Sequence, residues 1–200
     1  SIDGDVTGNH GGYDYWVVKL SSIGNIEWQK ALGGTNNDTA YSIQQTSDGG
    51  FIVAGTSPST DGDVMGNHGF YDSWIVKLSS TGSIQWQKAL GGTAEDVANY
   101  IQQTTDGGYI IAGYTYSTDG NVTDNHGGGD YWVIKLSNTG YMEWQKTLGG
   151  TNTDWAFSIQ QTTDGGYIVA GQTTSLDGDV TGNQGIRDYW VIKLTSIGNI

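Results

Sequence analysis

The sequence predicts an all-β fold: an open or partial β-propeller built from blades of four antiparallel strands. Three observations carry this. The stretch DGDVTGNHGGYD at Asp3 returns as DGDVMGNHGFYD at Asp61, DGNVTDNHGGGD at Asp119 and DGDVTGNQGIRD at Asp177, so one unit repeats every 58 residues. Each unit holds four short runs rich in Ile, Val, Tyr or Trp, bounded by Gly, Asp, Asn or Ser. No window carries the i, i+3, i+4 apolar spacing of a helix.

The repeats span 3–60, 61–118, 119–176 and a partial 177–200, about three and a half copies in a single repeat domain, 1–200. Taken in order, the four strands of one blade are expected near Ala40–Thr46, Phe51–Thr56, Ser73–Ser79 and Ile84–Leu90. The first pair is joined by SDGG at Ser47–Gly50, where Asp-Gly and Gly-Gly accept the positive φ of a tight hairpin. The third and fourth are joined by SSTG at Ser79–Gly82. The polar insert Ser57–Tyr71 links the second strand to the third; without it the unit is 43 residues, within the roughly 40–45 residues of a propeller blade. FIVAG and WIVKL are nearly continuous in apolar character, so these strands are expected to be covered on both faces. A β-helix is the rival fold, but its repeats are shorter and lack paired hairpin turns. The units start and end out of phase, so the chain is expected not to close a ring and to present open β edges, which seek partners. The absence of a signal peptide and the start in mid-repeat read as a mature or excised piece.

Composition excludes several classes of function. Eight Lys and Arg face 21 Asp and Glu, giving a net charge of -13. Such a chain repels phosphate backbones and anionic lipid, so neither nucleic acid nor membrane insertion is expected, and cations are favoured. There is no Cys, which removes disulfides, zinc–thiolate sites and thiol chemistry.

GGTNNDTAYSIQQTSDGGFIVAGTS resembles the Trp-Asp repeat in layout: a Gly pair, an Asp before the innermost strand, an Asp-Gly hairpin, then Ala-Gly-Thr. It departs at Gly33-Gly34, where that family often has Gly-His, and at Ser21-Ser22, where the closing Trp-Asp pair would fall. Over the full chain the sequence is more similar to the DGGYIVAG-type repeats of large secreted bacterial and archaeal cell-surface proteins. That resemblance implies a propeller and an extracellular or cell-surface location, without an activity.

Among repeated side chains, Trp16, Trp74, Trp132 and Trp190 share one position, and Trp28, Trp86 and Trp144 another. Large rings inside strand runs are expected to pack blade on blade, the alternative being sugar-stacking platforms. Residues 58 apart are expected to share one environment. Trp155, replaced by Thr39 and Val97 in other copies, is expected just before an innermost strand near the channel rim, as a tolerant loop position or, alternatively, a ligand contact. Asp38, Asp96 and Asp154 are expected to hold the turn before the innermost strand, and Gln44-Gln45 and their equivalents to make structural hydrogen bonds. His10, His68 and His126 give way to Gln184, which argues against catalysis and reads as exposed loop. Lys19, Lys77, Lys135 and Lys193 are expected to reach an edge or a carboxylate.

The repeated loop carries the metal expectation. Counting Asp3 as one, oxygens fall at positions one, three, seven and twelve, as in an EF-hand loop, though the last is Asp and helices are missing. The candidate calcium ligands are Asp3, Asp5, Asn9 and Asp14; Asp61, Asp63, Asn67 and Asp72; Asp119, Asn121, Asn125 and Asp130; and Asp177, Asp179, Asn183 and Asp188. The alternative is that these residues only cap turns. The expected function is a non-enzymatic structural or adhesive surface module with calcium-stabilised loops, which associates with itself or with neighbouring repeats of a longer chain; glycans or other surface proteins are further possible partners. A carbohydrate-binding propeller is the alternative and a hydrolase fragment the less favoured one, because near-identical blades supply symmetric groups where catalysis needs differently tuned ones.

Overall fold

The structure, a computed structural model, describes residues 4–200. They form thirteen strands in four antiparallel sheets. The N-terminal sheet holds β1 (Tyr15–Leu20) and β2 (Ile26–Leu32). Two complete blades follow: β3 (Thr39–Gln45), β4 (Phe51–Ser57), β5 (Asp72–Leu78) and β6 (Ile84–Leu90), then β7 (Asp96–Gln103), β8 (Tyr109–Thr115), β9 (Asp130–Leu136) and β10 (Met142–Leu148). The C-terminal sheet holds β11 (Asp154–Gln161), β12 (Tyr167–Thr173) and β13 (Asp188–Leu194). Each sheet is a meander in sequence order. A blade therefore straddles two sequence units: β3 and β4 precede Asp61, whereas β5 and β6 follow it. The arrangement is an open propeller, in which β1 and β13 each pair on one side and are edge strands on the other.

The hairpins form where the turn residues require them. Gly49 and Gly82 take φ of 79° and 79°, a region closed to side chains other than Gly or, less easily, Asn and Asp. A bulge that sequence reading did not anticipate recurs in the innermost strands, between Ala40 and Ser42, Ala98 and Tyr100, and Ala156 and Ser158. It adds local twist where the inner strands of adjacent blades converge.

The core lies between sheets. β7 rests on β3, β4 and β5, and β11 rests on β7, β8 and β9. Ile110, Ala112, Tyr131 and Val133 on one blade meet Ile159, Val169, Trp190 and Ile192 on the next. The same positions one repeat earlier, Ile52, Ala54 and Ile75, meet Ile101, Ile111, Trp132 and Ile134. Central strands are thus buried on both faces, which is why their sequences do not alternate.

Both Trp series pack across blade junctions. Tyr15 lies 4.6 Å from Trp74 between ring centroids, and its hydroxyl donates to the Trp74 carbonyl at 3.1 Å. Tyr131 and Trp190 repeat this at 4.7 Å and 2.9 Å. Trp28, Trp86 and Trp144 meet Phe51, Tyr109 and Tyr167 of the following sheet edge-on. Equality of environment holds for Trp74, Trp132 and Trp190, which are all buried, but not for Trp16, which is 47% exposed. Among the described residues no sheet lies on that side of β1.

Candidate functional site

The conspicuous polar chemistry sits at the blade junctions, around the Gly33-Gly34 pair and its equivalents. Between blades the chain leaves an outer strand and turns inward, and the amides of that turn need acceptors. The buried Asp38, Asp96 and Asp154 provide them. Gly34, Gly92 and Gly150 donate their N–H groups to Oδ2 of these residues at 2.8, 2.8 and 2.9 Å. Ser59, Ser117 and Ser175 donate to the same oxygens at 3.1, 2.7 and 2.8 Å. Ser57 and Thr115 donate to Oδ1 of Asp38 and Asp96.

The insert loop closes the junction from the other side. Thr35, Thr93 and Thr151 donate their N–H groups to Oδ1 of Asp61, Asp119 and Asp177 at 2.8, 2.7 and 2.8 Å. Gly33, Gly91 and Gly149 donate to Asp63, Asn121 and Asp179 at 3.3, 3.1 and 3.2 Å. Asn67 and Asn183 donate Nδ2 to the Ser57 and Ser175 carbonyls at 2.8 and 2.9 Å, and Asn125 donates to Thr115 and Ser117. The Gly pair is a consequence. A Cβ on Gly91 would lie 2.4 Å from Asp96 Oδ2, and one on Gly92 would lie 2.2 Å from Asp119 Oδ1.

The last candidate in each loop stands at the start of the third strand. His10, His68 and His126 each give their N–H to Oδ2 of Asp14, Asp72 and Asp130, with Nδ1 on the same oxygen at 2.9, 2.7 and 2.7 Å. Gln184 keeps only the backbone bond to Asp188, at 2.6 Å. The recurring His, read from sequence as exposed loop, is thus the partner of a strand-capping Asp. Asp5 is an exposed turn residue, Asn9 bonds within its own loop to Gly11 and Gly12, and Asp3 lies outside the described residues. Asp124 stands at the Gly position of the third loop with φ 61°, a left-handed conformation that Asp tolerates better than most residues.

The side chains singled out as calcium ligands therefore turn to different donors. Among the described residues no three His, Asp or Glu side chains converge on one metal point. One oxygen per junction is left over: Oδ1 of Asp14, Asp72 and Asp130 is buried without a hydrogen-bond partner. It faces the same Gly Cα as the neighbouring Asp38, Asp96 or Asp154.

Electrostatics follows from this pairing. Burial pushes Asp96 up to about 6, against the pull of its three donors, and the nearby Asp72 adds to the rise. Burial also raises Asp38, Asp72 and Asp130. The hairpin carboxylates go the other way. Burial alone would raise Asp106, but Thr104, Gly108 and Lys135 hold it down at about 2. Thr46 and Lys77 hold Asp48 well below the usual carboxylate range. The strand lysines pair as expected, Lys77 with Asp48 at 2.9 Å and Lys135 with Asp106 at 3.0 Å. The paired Gln residues bridge inner strands: Gln44 Oε1 accepts from Gln103 N at 2.6 Å, and Gln102 Oε1 accepts from Gln161 N at 3.0 Å.

One junction breaks the symmetry. Trp155, expected in the loop before the innermost strand, lies within β11 opposite Gln172, because the ladder begins at Asp154. It stacks on Tyr114 at 4.8 Å and 24°, Tyr116 meets Tyr114 edge-on at 5.9 Å, and the Tyr114 hydroxyl donates to Glu95 at 2.9 Å. Trp155 Nε1 is buried with no acceptor.

Fold and junction geometry together define an open propeller whose blades are joined by repeated carboxylate–amide clasps. No protein-family model matches the chain. Regulatory protein FlaEY of Caulobacter vibrioides is 29% identical over 153 residues, covering 70% of this chain and 16% of that protein. The chain thus spans only 16% of the length of the curated relative it matches. A protein of unknown function from Bacteroides caccae, whose crystal structure was determined at 1.35 Å, superposes with a TM-score of 0.37 and 12% identity over 96% of this chain and 79% of that one.

Proposed function

We propose that this chain is a non-enzymatic structural or adhesive propeller module of a secreted or cell-surface protein, related to the DGGYIVAG-type repeats. The observation that carries the reading is where the polar residues go. The repeated Asp and Ser side chains close three blade junctions through the linker amides and hydroxyls, the His and Asn side chains brace the insert loops, and two Gln bridges tie inner strands together. Self-association or contact with further repeats completes the role.

Calcium is part of the proposal at one place. The orphan Oδ1 of Asp14, Asp72 and Asp130, beside a second carboxylate, is the oxygen an ion would take up, and neutralising clustered charge would favour it. Extracellular calcium modules bind at about 10⁻⁴–10⁻³ M, so millimolar calcium adds roughly 0.4–1.4 kcal/mol per site. Chelation is expected to lower the melting temperature by a few degrees, with calcium restoring it better than magnesium. A chelator-insensitive melt with no calorimetric heat assigns the loops to hydrogen bonding alone.

A second reading is carbohydrate binding at the Trp155–Tyr114–Tyr116 patch, favoured by the stacked rings and the Trp155 Nε1 donor without a partner. A glycan array separates the two. The scaffold reading expects no glycan signal above background; a signal abolished by Trp155→Ala and retained in Trp86→Ala would replace it with the lectin reading.

A further inference from the structure

We infer that the outer face of the C-terminal sheet is a docking surface for the N-terminal sheet of a second copy of this chain, with Tyr189 of one copy seated on Trp16 of the next. The inference rests on the self-association part of the proposed function and gives it a contact.

The internal junctions supply the geometry. A Tyr on β1 or β9 packs at a 54° tilt against the Trp on β5 or β13 of the following sheet and donates its hydroxyl to that Trp carbonyl. The chain makes this contact twice, at Tyr15–Trp74 and Tyr131–Trp190. Its two unpartnered halves lie at opposite ends. Tyr189 stands one repeat after Tyr131, which is fully buried, and is 95% exposed; Val191, the counterpart of the buried Val133, is 57% exposed. Ile168 is likewise exposed where Ile110 is buried. At the other end, Trp16 and Leu20 are exposed where Trp74 and Leu78 are buried. The exposed C-terminal patch is thus the face that elsewhere covers a following sheet, and the exposed N-terminal patch is the face that elsewhere is covered by a preceding one.

A second copy is the occupant because it presents the same Trp ring, the same backbone carbonyl and the same flanking strand. An unrelated apolar partner would satisfy the ring but not the hydroxyl. The contact is heterologous, so copies add head to tail. The N-terminal sheet supplies only the third and fourth strand positions of a blade, so the contact uses the Tyr–Trp pair without the first-strand packing that β7 and β11 add at the internal junctions. The smaller area points to a contact weaker than a permanent interface.

Sedimentation velocity on the 200-residue chain tests this. Between about 1 and 200 µM the weight-average mass is expected to rise at least about twofold. Tyr189→Lys and Trp16→Ser are each expected to stay monomeric over that range, because each removes one half of the contact. Mixed in equal amounts, they are expected to form a one-to-one dimer and nothing larger, since one intact half remains on each. Val191→Lys and Val18→Lys, the latter on β1 two residues from Trp16 with its counterpart Val76 buried, give the same two halves if either first variant fails to fold. A parent chain that stays monomeric, variants that assemble like the parent through their strand edges, or a mixture that remains monomeric each overturns the inference. A monomeric parent with an empty glycan array removes the docking contact and leaves the scaffold reading in place.

Discussion

Trp74→Ala is expected to destabilise the chain by about 3–5 kcal/mol, the loss typical of a large buried aromatic replaced by Ala. Trp74 is 0% exposed between the N-terminal sheet and the first complete blade. Its ring meets Tyr15, and its Nε1 donates to Gln87 at 2.8 Å. Truncation opens a cavity at a junction of two sheets, neither of which can collapse without breaking its own ladder. Against a total of about 5–15 kcal/mol for a domain, that is a large fraction. Trp16→Ala removes the same residue type at the same repeat position, but from a half-exposed site, and is expected to cost about 1 kcal/mol or less. Paired urea melts check this. Equal losses at the two positions would mean that the rings are not junction elements.

Asp96→Ala is expected to cost about 3–4 kcal/mol, because it strands three buried donors, the Gly92 amide and the Thr115 and Ser117 hydroxyls. Asp96→Asn is expected to cost less. Its carbonyl oxygen still accepts from Gly92, and a hydroxyl can rotate to accept from the new amide. The two variants also separate by pH. A carboxylate raised to about 6 in the folded state, against roughly 3.9 unfolded, holds extra protons when folded. Its contribution is fully present below about pH 4 and is lost as pH rises through 6. Asp48, Asp106 and Asp177 are lowered, so their contribution is present above about pH 4 and lost on acidification. Stability is therefore expected to peak near about pH 4 to 5 and to decline through about pH 6, and Asp96→Asn is expected to flatten that decline. A wild-type melting temperature that climbs steadily from pH 5 to 8 would contradict this.

Most of the fold was legible because the signals that make it are local. The turns at Ser47–Gly50 and Ser79–Gly82 and the strands between them were placed within a residue or two, since Asp-Gly turns and β-branched runs act over few residues. The open ends followed from the phase of the repeat. The bulges at Ala40, Ala98 and Ala156 left no mark, because an extra residue in a strand has no composition of its own. The junction clasps were half legible. The oxygen spacing in DGDVMGNHGFYD was plain, but spacing does not distinguish an ion from a set of amides. The partners of Asp61 and Asp63 are backbone N–H groups more than twenty residues upstream, and a backbone donor has no side-chain signature. The one available signal was the Gly pair itself, at positions where a Cβ would meet a carboxylate. Trp16 shows the other limit: a repeat fixes the residue, whereas its burial depends on whether a neighbouring sheet is there.

The account holds that buried carboxylates clasp the blade junctions through backbone amides, and amide hydrogen exchange at Gly34, Gly92 and Gly150 tests this most directly. These glycines lie outside every strand, yet each donates to a buried Asp oxygen. Their amides are predicted to exchange as slowly as ladder amides of β8 and β9, and far more slowly than that of Gly66, an exposed loop glycine of the same insert. Exchange at Gly34, Gly92 and Gly150 as fast as at Gly66 would contradict the account.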